Sequence, residues 1–446
     1  MTKQQNMGQS KPPFIADVQY VVRSDIGMRR AINQDSSTYV LAEDEQAWQS
    51  RGHMFMVADG MGAHAAGELA SKLAVDTVSH LYYHDRELHV EQALEKAIVD
   101  TNAEIHRRGL ANPDFRGMGT TASVLVLTPQ GALVGHVGDS RVYRLRGQQL
   151  EQLTFDHSLQ WELRSLKIVA EGSDFAKSVP KNVITRSLGP NPNVVVDLEG
   201  PFPLQVGDRF LLCSDGLSGQ ISDGEIGSLL CHLPREEAAG VLVDLANLRG
   251  GPDNITLLIV EITGSGAETT KPGGESKNSS RASRPSPGSL TPWVVTAVCW
   301  LFACILWFAD QLIAMMVLAL AGGASLVVGL VMHLRDRLPS GQSPAQGRSL
   351  GNAPYASATC SGGDDFISSL TAILSDLREA ACESQWLVRW SAFDDLCNKA
   401  KAAHQAGDIP AAVRFCAKGI SFMMHELRSQ QNRDANDSGI DYTRPE

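Results

Sequence analysis

The chain lacks most of the features that settle chemistry by composition. Its 8 cysteines form no CxxC pair and no even framework, so they imply neither zinc nor disulfides and read as reduced, structural thiols. Basic excess is missing too: the formal net charge is −11, which argues against a face selecting a nucleic-acid backbone. The opening stretch, "MTKQQNMGQSKPPF", is polar, with no apolar run of signal-peptide type. At 446 residues, 43% hydrophobic and 20% charged, the chain is ordinary globular material but too long for one core, so several units are expected.

Composition divides it. Residues 15–263 alternate strand-like apolar runs with helical stretches, and residues 264–292 are rich in Gly, Ser, Pro and Thr, as a disordered linker would be. Residues 293–332 carry a single charge, Asp310. A bilayer core needs about 20 apolar residues per helix, so this run is read as two spans, 293–308 and 312–332, joined at Ala309-Asp310-Gln311. Arg281 and Arg284 before it, and His333, Arg335 and Arg337 after it, favour a cytoplasmic location for both flanks. A buried helical hairpin in a soluble domain is the alternative.

A further linker is expected over 333–362, then a helical region over 363–430 and a disordered tail over 431–446. Phe393, Leu396 and Ala400 share one helical face; after Gly407-Asp408, Ala412, Phe415, Cys416, Ile420, Met423 and Leu427 share another. The pair resembles a single tetratricopeptide-type unit, which suggests a protein partner, with a plain helical bundle as the alternative.

The recurring signal is a strand that ends in a carboxylate. "MFMVADGMG" delivers Asp59 and Gly60, "RFLLCSDG" delivers Asp215, and "ALVGHVGDSR" delivers Asp139. "GGPDNITLLIVEI" sets Asp253 just before a strand, and "VVRSDIGMRRAINQDS" supplies Asp25, Asp35 and two arginines. One Asp-Gly is turn punctuation, but turns explain the whole set poorly. Carboxylates gathered at neighbouring strand ends repel by several kcal/mol at ~4 Å and an effective dielectric of ~20, so cations must compensate. An all-oxygen ligand set selects Mg²⁺ or Mn²⁺ over zinc. Paired ions could ready water for attack on a phosphoryl group, whose charge calls for a guanidinium. Arg30 and Arg29 are equal candidates on these grounds. Gly60, without a Cβ, would let its carbonyl approach an ion.

"RSDIGMRRAINQDS", "MVADGMGAHAAGELAS", "GMGTTASVLVL", "VGHVGDSRVYRLR", "LTFDHSL", "ITRSLG", "FLLCSDGLSGQISDGEI" and "GPDNITLLIVEI" together resemble, in order and spacing, the bacterial metal-dependent protein phosphatases (PPM, type 2C). The resemblance covers nearly all of residues 15–263 and implies an α+β fold, an αββα sandwich of two antiparallel sheets flanked by helices. To that the chain adds the transmembrane hairpin and a small all-α C-terminal region. It implies a binuclear Mn²⁺ or Mg²⁺ centre, with Asp59 bridging the ions, Gly60 giving a backbone carbonyl, Asp215 and Asp253 completing one shell, and Asp35 contacting the site largely through water. Asp139 would join Asp215 around a third, weaker ion. Arg30 aligns with the phosphate-binding arginine, and Asn254 and Ser214 flank the ligands. Arg30, Asp35 and Asp59 are therefore the expected catalytic residues.

Two departures stand out. Gln34 replaces a common Glu, which would weaken an adjacent metal, and Met61 stands where relatives outside bacteria carry a general-acid histidine. His64 is the nearby substitute donor, with a loop histidine as its default reading. Residues 157–183 correspond to the flap beside the active site. Cys213, inside an apolar strand, is read as an inert thiol rather than a nucleophile. The implied activity is hydrolysis of phosphoserine or phosphothreonine in protein substrates of a Ser/Thr kinase, by an enzyme in the inner (cytoplasmic) membrane, two-pass, with both large regions cytoplasmic. A catalytically weak phosphoprotein-binding scaffold is the alternative.

Overall fold

The computed structural model of the chain describes residues 17–63, 65–166, 180, 183–264, 350–360 and 363–438. Its core is two antiparallel sheets laid face to face. The first runs in the order β1 (Val18–Asp25), β11 (Ile255–Ile262), β10 (Arg209–Cys213), β7 (Arg141–Arg146), β8 (Gln149–Gln152) and β12 (Ala356–Thr359). The second runs β2 (Asp35–Val40), β3 (His53–Met61), β5 (Ala122–Thr128), β6 (Gly131–Val137) and β9 (Asp197–Phe202), with the short β4 (Gly119–Thr120) on the end of β3. β5 reads ASVLVLT and is buried at every position, because one face meets the other sheet and the other meets helices. That double burial explains why the central strands are near-continuous apolar runs rather than alternating ones. Phe55, Val57, Leu125, Phe210, Leu212 and Val260 fill the space between the sheets.

Helices α2 (Ala66–His84) and α3 (Val90–Ala111) cover the outer face of the second sheet. Ala66, Ala70 and Ala74 recur at helical spacing, and their small side chains let α2 approach the strands closely. The first sheet is covered by α6 (Asp223–His232), started by a Ser222/Glu225 capping box, and α7 (Arg235–Leu248). Helices α1 (Glu45–Ser50), α4 (Leu159–Ser165) and α5 (Asp215–Ser218) are short connectors. The α+β architecture expected from the sequence, two antiparallel sheets with helices, is present.

The C-terminal region departs from expectation in its attachment. Among the described residues, those of 17–264 and of 350–438 fall into one compact unit. The end of the expected 333–362 linker is structured: β12 pairs β8 in antiparallel register and supplies hydrogen bonds the sheet edge would otherwise lack. Its sequence, ASAT, is too short and too small-sided to announce a strand. Helices α8 (Asp364–Glu383), α9 (Trp390–Gln405) and α10 (Ile409–Ser438) form the helical region. α10 continues past residue 430, where a disordered tail was expected, and residues 439–446 lie outside the described ones. Ala412, Val413, Cys416, Ile420 and Met423 of α10 share one apolar cluster with Leu242 and Ala246 of α7. The hairpin expected over 293–332 lies outside the described residues, as does nearly all of the linker before it. Among the described residues no helix is long and apolar enough to cross a membrane.

Candidate active site

Strand register brings the first two acids together. Asp35 opens β2 and pairs directly with Asp59 near the end of β3. Directly opposed residues of an antiparallel pair project from the same face with Cβ atoms about 5 Å apart. The backbone of Asp59 is pinned: its N–H donates to Thr121 Oγ1 at 2.8 Å, and its carbonyl accepts from Thr121 N at 2.9 Å and Thr120 Oγ1 at 2.9 Å. Gly60 N donates to the Gln34 carbonyl at 3.1 Å. A Cβ at Gly60 would lie 2.1 Å from the Gly67 carbonyl oxygen and 2.5 Å from that of Gln34. Crowding by backbone is thus a reason for glycine here that the sequence did not reveal.

The other acids arrive from the facing sheet and the adjoining loops. Asp215 is the first residue of α5, one residue past the end of β10, and approaches Asp59 within hydrogen-bonding reach. Asp139 follows β6 after Gly138, whose φ of +117° and close approach to Thr121 exclude a side chain. Asp253 lies in the turn before β11. Ser214 Oγ donates to Asp35 Oδ2 at 2.8 Å and accepts from Thr256 N at 3.0 Å.

These carboxyls are held at an electrostatic cost. Burial, then the neighbouring charges of Asp215 and Asp253, push Asp35 up to about 7. Burial and the charges of Asp215 and Asp156 push Asp139 up to about 8. Asp59 is displaced well above the usual carboxylate range, by burial first and then by Asp35, Asp215, Asp139 and Asp253 together. Asp215 is raised by burial and by Asp253. Oδ1 of Asp35, of Asp139 and of Asp215 are buried without a hydrogen-bond partner. Such orphaned acceptors, set among mutually repelling acids, suit the oxygen ligands of a hard cation. Among the described residues no three His, Cys, Asp or Glu side chains close on one point as a finished metal cage. Two of the acids are turned elsewhere: Asp35 Oδ2 is held by Ser214, and Asp253 Oδ2 takes 2.7 Å contact from Arg30 Nη2. The donor set nevertheless fits Mg²⁺ or Mn²⁺, supplied by oxygen alone.

Arg30, rather than Arg29, makes that contact with Asp253, and its Nε donates to the Pro252 carbonyl at 3.3 Å. Its side chain is 46% exposed, so it stands at the mouth of the acidic cluster. Asn254 ties the two loops together: Nδ2 donates to the carbonyls of Ile26 and Ile32, and Oδ1 accepts from Gln34 N at 2.8 Å. The Gln34 side-chain amide reaches the Gly62 carbonyl, on the Gly67 side of the turn, so the residue serves the loop's packing. His64 and most of the flap, residues 167–179 and 181–182, lie outside the described residues. Cys213 is fully buried, and burial pushes its thiol up to about 12, which leaves it protonated and inert.

Several supporting residues escaped the sequence reading. Arg141, which with Asp156 faces Asp139, binds Asp156 through Nε and Nη2, and Tyr143 donates to Asp223 at 2.9 Å. His157 Nδ1 accepts from Gly138 N, which leaves Nε2 to donate to Asp197 Oδ2 at 2.8 Å and fixes the turn that carries Asp139. The motifs "GDSR" and "DHSL" contained Arg141, Asp156 and His157, but nothing local says that they meet.

The fold thus gathers five acids at one end of a two-sheet sandwich, with the half-exposed Arg30 beside Asp253. A family model for protein phosphatase 2C matches residues 29–235. The chain is 37% identical over 245 residues to the serine/threonine phosphatase stp of Listeria innocua, covering 54% of this chain and 94% of that one. It is 37% identical over 250 residues to the protein phosphatase PhpP of Streptococcus pneumoniae, covering 55% and 98%. A solved catalytic domain of the phosphatase PstP, in complex with 2 manganese ions, is 32% identical with a TM-score of 0.47, covering 55% of this chain and 99% of that one. The chain belongs to the protein phosphatase 2C family. It is a metal-dependent serine/threonine protein phosphatase, of a family that uses Mn²⁺ or Mg²⁺, and its substrates are phosphoproteins.

Proposed function

We propose that this phosphatase acts on phosphoserine and phosphothreonine with two divalent ions, tethered to a membrane through residues 293–332. The observation that carries the site assignment is the convergence of Asp35, Asp139, Asp215 and Asp253 on Asp59, with three carboxylate oxygens left unpartnered. Asp59, the Gly60 carbonyl, Asp215 and Asp253 would hold the two ions. Asp35 would act through water, and Asp139 with Asp215 would hold a third ion. When bound, the ions supply the positive charge that lets these acids ionise together and activate water for attack on phosphorus.

The chain's own residues do the rest. Ser214 and Asn254 fix the ligand-bearing loops, so that the acids keep their places while their charge changes. Arg30 is held over the opening by Asp253 and the Pro252 carbonyl. Its exposure lets the guanidinium exchange Asp253 for the equatorial oxygens of a phosphoryl group, where a paired charged donor is worth most. The buried surroundings keep bulk water from competing for the acids.

Activity is tested on the full chain with a phosphothreonine peptide and Mn²⁺. Turnover should be lost with a chelator and with Asp215→Asn; metal-dependent turnover that survives Asp215→Asn would remove the ligand assignment. The single charge in residues 293–332 supports the membrane reading, as does the Arg-rich composition on both flanks. The reading places both large regions at the cytoplasmic face of the inner membrane. A reporter fused after residue 446 should report a cytoplasmic location, and a periplasmic readout would defeat the hairpin. A kinase-derived substrate and a protein partner for the C-terminal helices complete the proposal.

A further inference from the structure

The loop that carries Arg30 is held at its base by Asp25, the last residue of β1. Asp25 Oδ1 accepts from Gly27 N at 3.0 Å and from Asn247 Nδ2, near the end of α7, at 3.1 Å. Beyond it the loop lies directly on the turn that carries Asp253: Met28 N donates to the Gly251 carbonyl at 2.8 Å. A Cβ at Gly27 would stand 2.2 Å from the Asp253 carbonyl oxygen, so any shift of this loop is felt at Asp253. The remaining oxygen of Asp25 is taken from far along the chain. Arg428 Nη2, on α10, donates to Asp25 Oδ2 at 2.5 Å. Burial raises the carboxyl of Asp244 on α7, which is hydrogen-bonded by Ser421 and faces the charges of Arg428, Asp25 and His425. Arg428 therefore stands between two acids, one of them the foot of the Arg30 loop.

We infer that Arg428 is a positioning residue for phosphate recognition: helix α10 braces the Arg30–Asp253 loop pair through Asp25. The relatives compared above match just over half of this chain, and α10 follows the matched phosphatase region, so the brace is a feature of this chain's extension. A second pair on the same helices separates bracing from docking. Arg414 of α10 binds Glu237 at the far end of α7, well away from the loop in sequence. If α10 only docks, both arginines should matter alike. If it braces, Arg428 alone should tune the site.

The inference rests on the phosphatase reading for its substrate but not for its test, because inorganic phosphate binding can be measured without turnover. In the full chain with Mn²⁺, Arg428→Ala should raise both the Kd for inorganic phosphate and the KM for a phosphothreonine peptide by about three- to tenfold, as misplacement of a binding group does. kcat and the Mn²⁺ dependence should change far less. Arg428→Lys should recover part of the loss, and Asp25→Asn should reproduce it, with the double variant no worse than either single one. Arg414→Ala should bind phosphate as the parent does. A phosphate Kd unchanged in both Arg428→Ala and Asp25→Asn would overturn the brace, and so would an equal loss in Arg414→Ala. Phosphate binding without any turnover in the parent chain would instead count against the phosphatase reading and leave the Arg428 comparison decisive.

Discussion

Asp35 and Asp59 stand directly opposite one another on neighbouring antiparallel strands. Like charges in that relationship destabilise a sheet, yet here Asp35 is buried and Asp59 half-buried, and Asp139, Asp215 and Asp253 add to the repulsion. Burial and this mutual repulsion raise the carboxyls, which favours their protonated forms when no cation neutralises them.

That gives stability a definite pH dependence. The folded-state values of Asp35 and Asp139, about 7 and about 8, lie above the ordinary carboxylate value of an unfolded chain. Between about pH 4 and pH 8 the unfolded chain has released protons that the folded protein still binds, so stability falls as pH rises through this window. A chelator-treated sample should unfold at a lower temperature at pH 8 than at pH 5. Mn²⁺ should raise the midpoint more at pH 8. Thermal scans at both pH values check this, and a metal-free protein that gains stability over the window would refute it.

Arg30→Ala tests the role of the guanidinium. Its contact with Asp253 is half-exposed and contributes little to folding, so the variant should unfold close to the parent. Transition-state stabilisation should fall by ~2 to 4 kcal/mol, seen in kcat/KM, because a charged donor to the phosphoryl oxygens is lost. An unchanged kcat/KM would show that the phosphate is held by another group.

Gly60→Ala places a methyl group where the Gly67 and Gln34 carbonyl oxygens already crowd. Separating α2 from β3 to admit it should cost ~1 to 3 kcal/mol. Chemical denaturation measures the loss directly. A fully stable Gly60→Ala would mean that the turn has room the structure does not show.

Most of the fold was legible because its central strands are buried on both faces and read as unbroken apolar runs, as β5 does. The acids were legible for a related reason: a carboxylate at the end of such a run, as in "RFLLCSD", has no structural use in a core. The contacts that orient them were not, even for Asn254, which the sequence already set beside a ligand. Thr121 reaches Asp59, Asn254 reaches Ile26, and Arg428 reaches Asp25 across separations that no local pattern encodes. Residues 350–359 read as loose chain because strand β12 draws on the open edge of β8 rather than on its own side chains. The choice between Arg29 and Arg30 was likewise undecidable from charge and spacing alone, since it depends on which guanidinium meets Asp253.

The central claim is that divalent ions replace protons among these acids. Calorimetric titration of Mn²⁺ into the chelator-stripped full chain at pH 6.5, repeated in buffers of different ionisation enthalpy, counts protons released on binding. The account predicts more than one Mn²⁺ per chain, with proton release that diminishes toward pH 9 and in Asp59→Asn. Binding with no proton release at pH 6.5, or no binding at millimolar Mn²⁺, would contradict it.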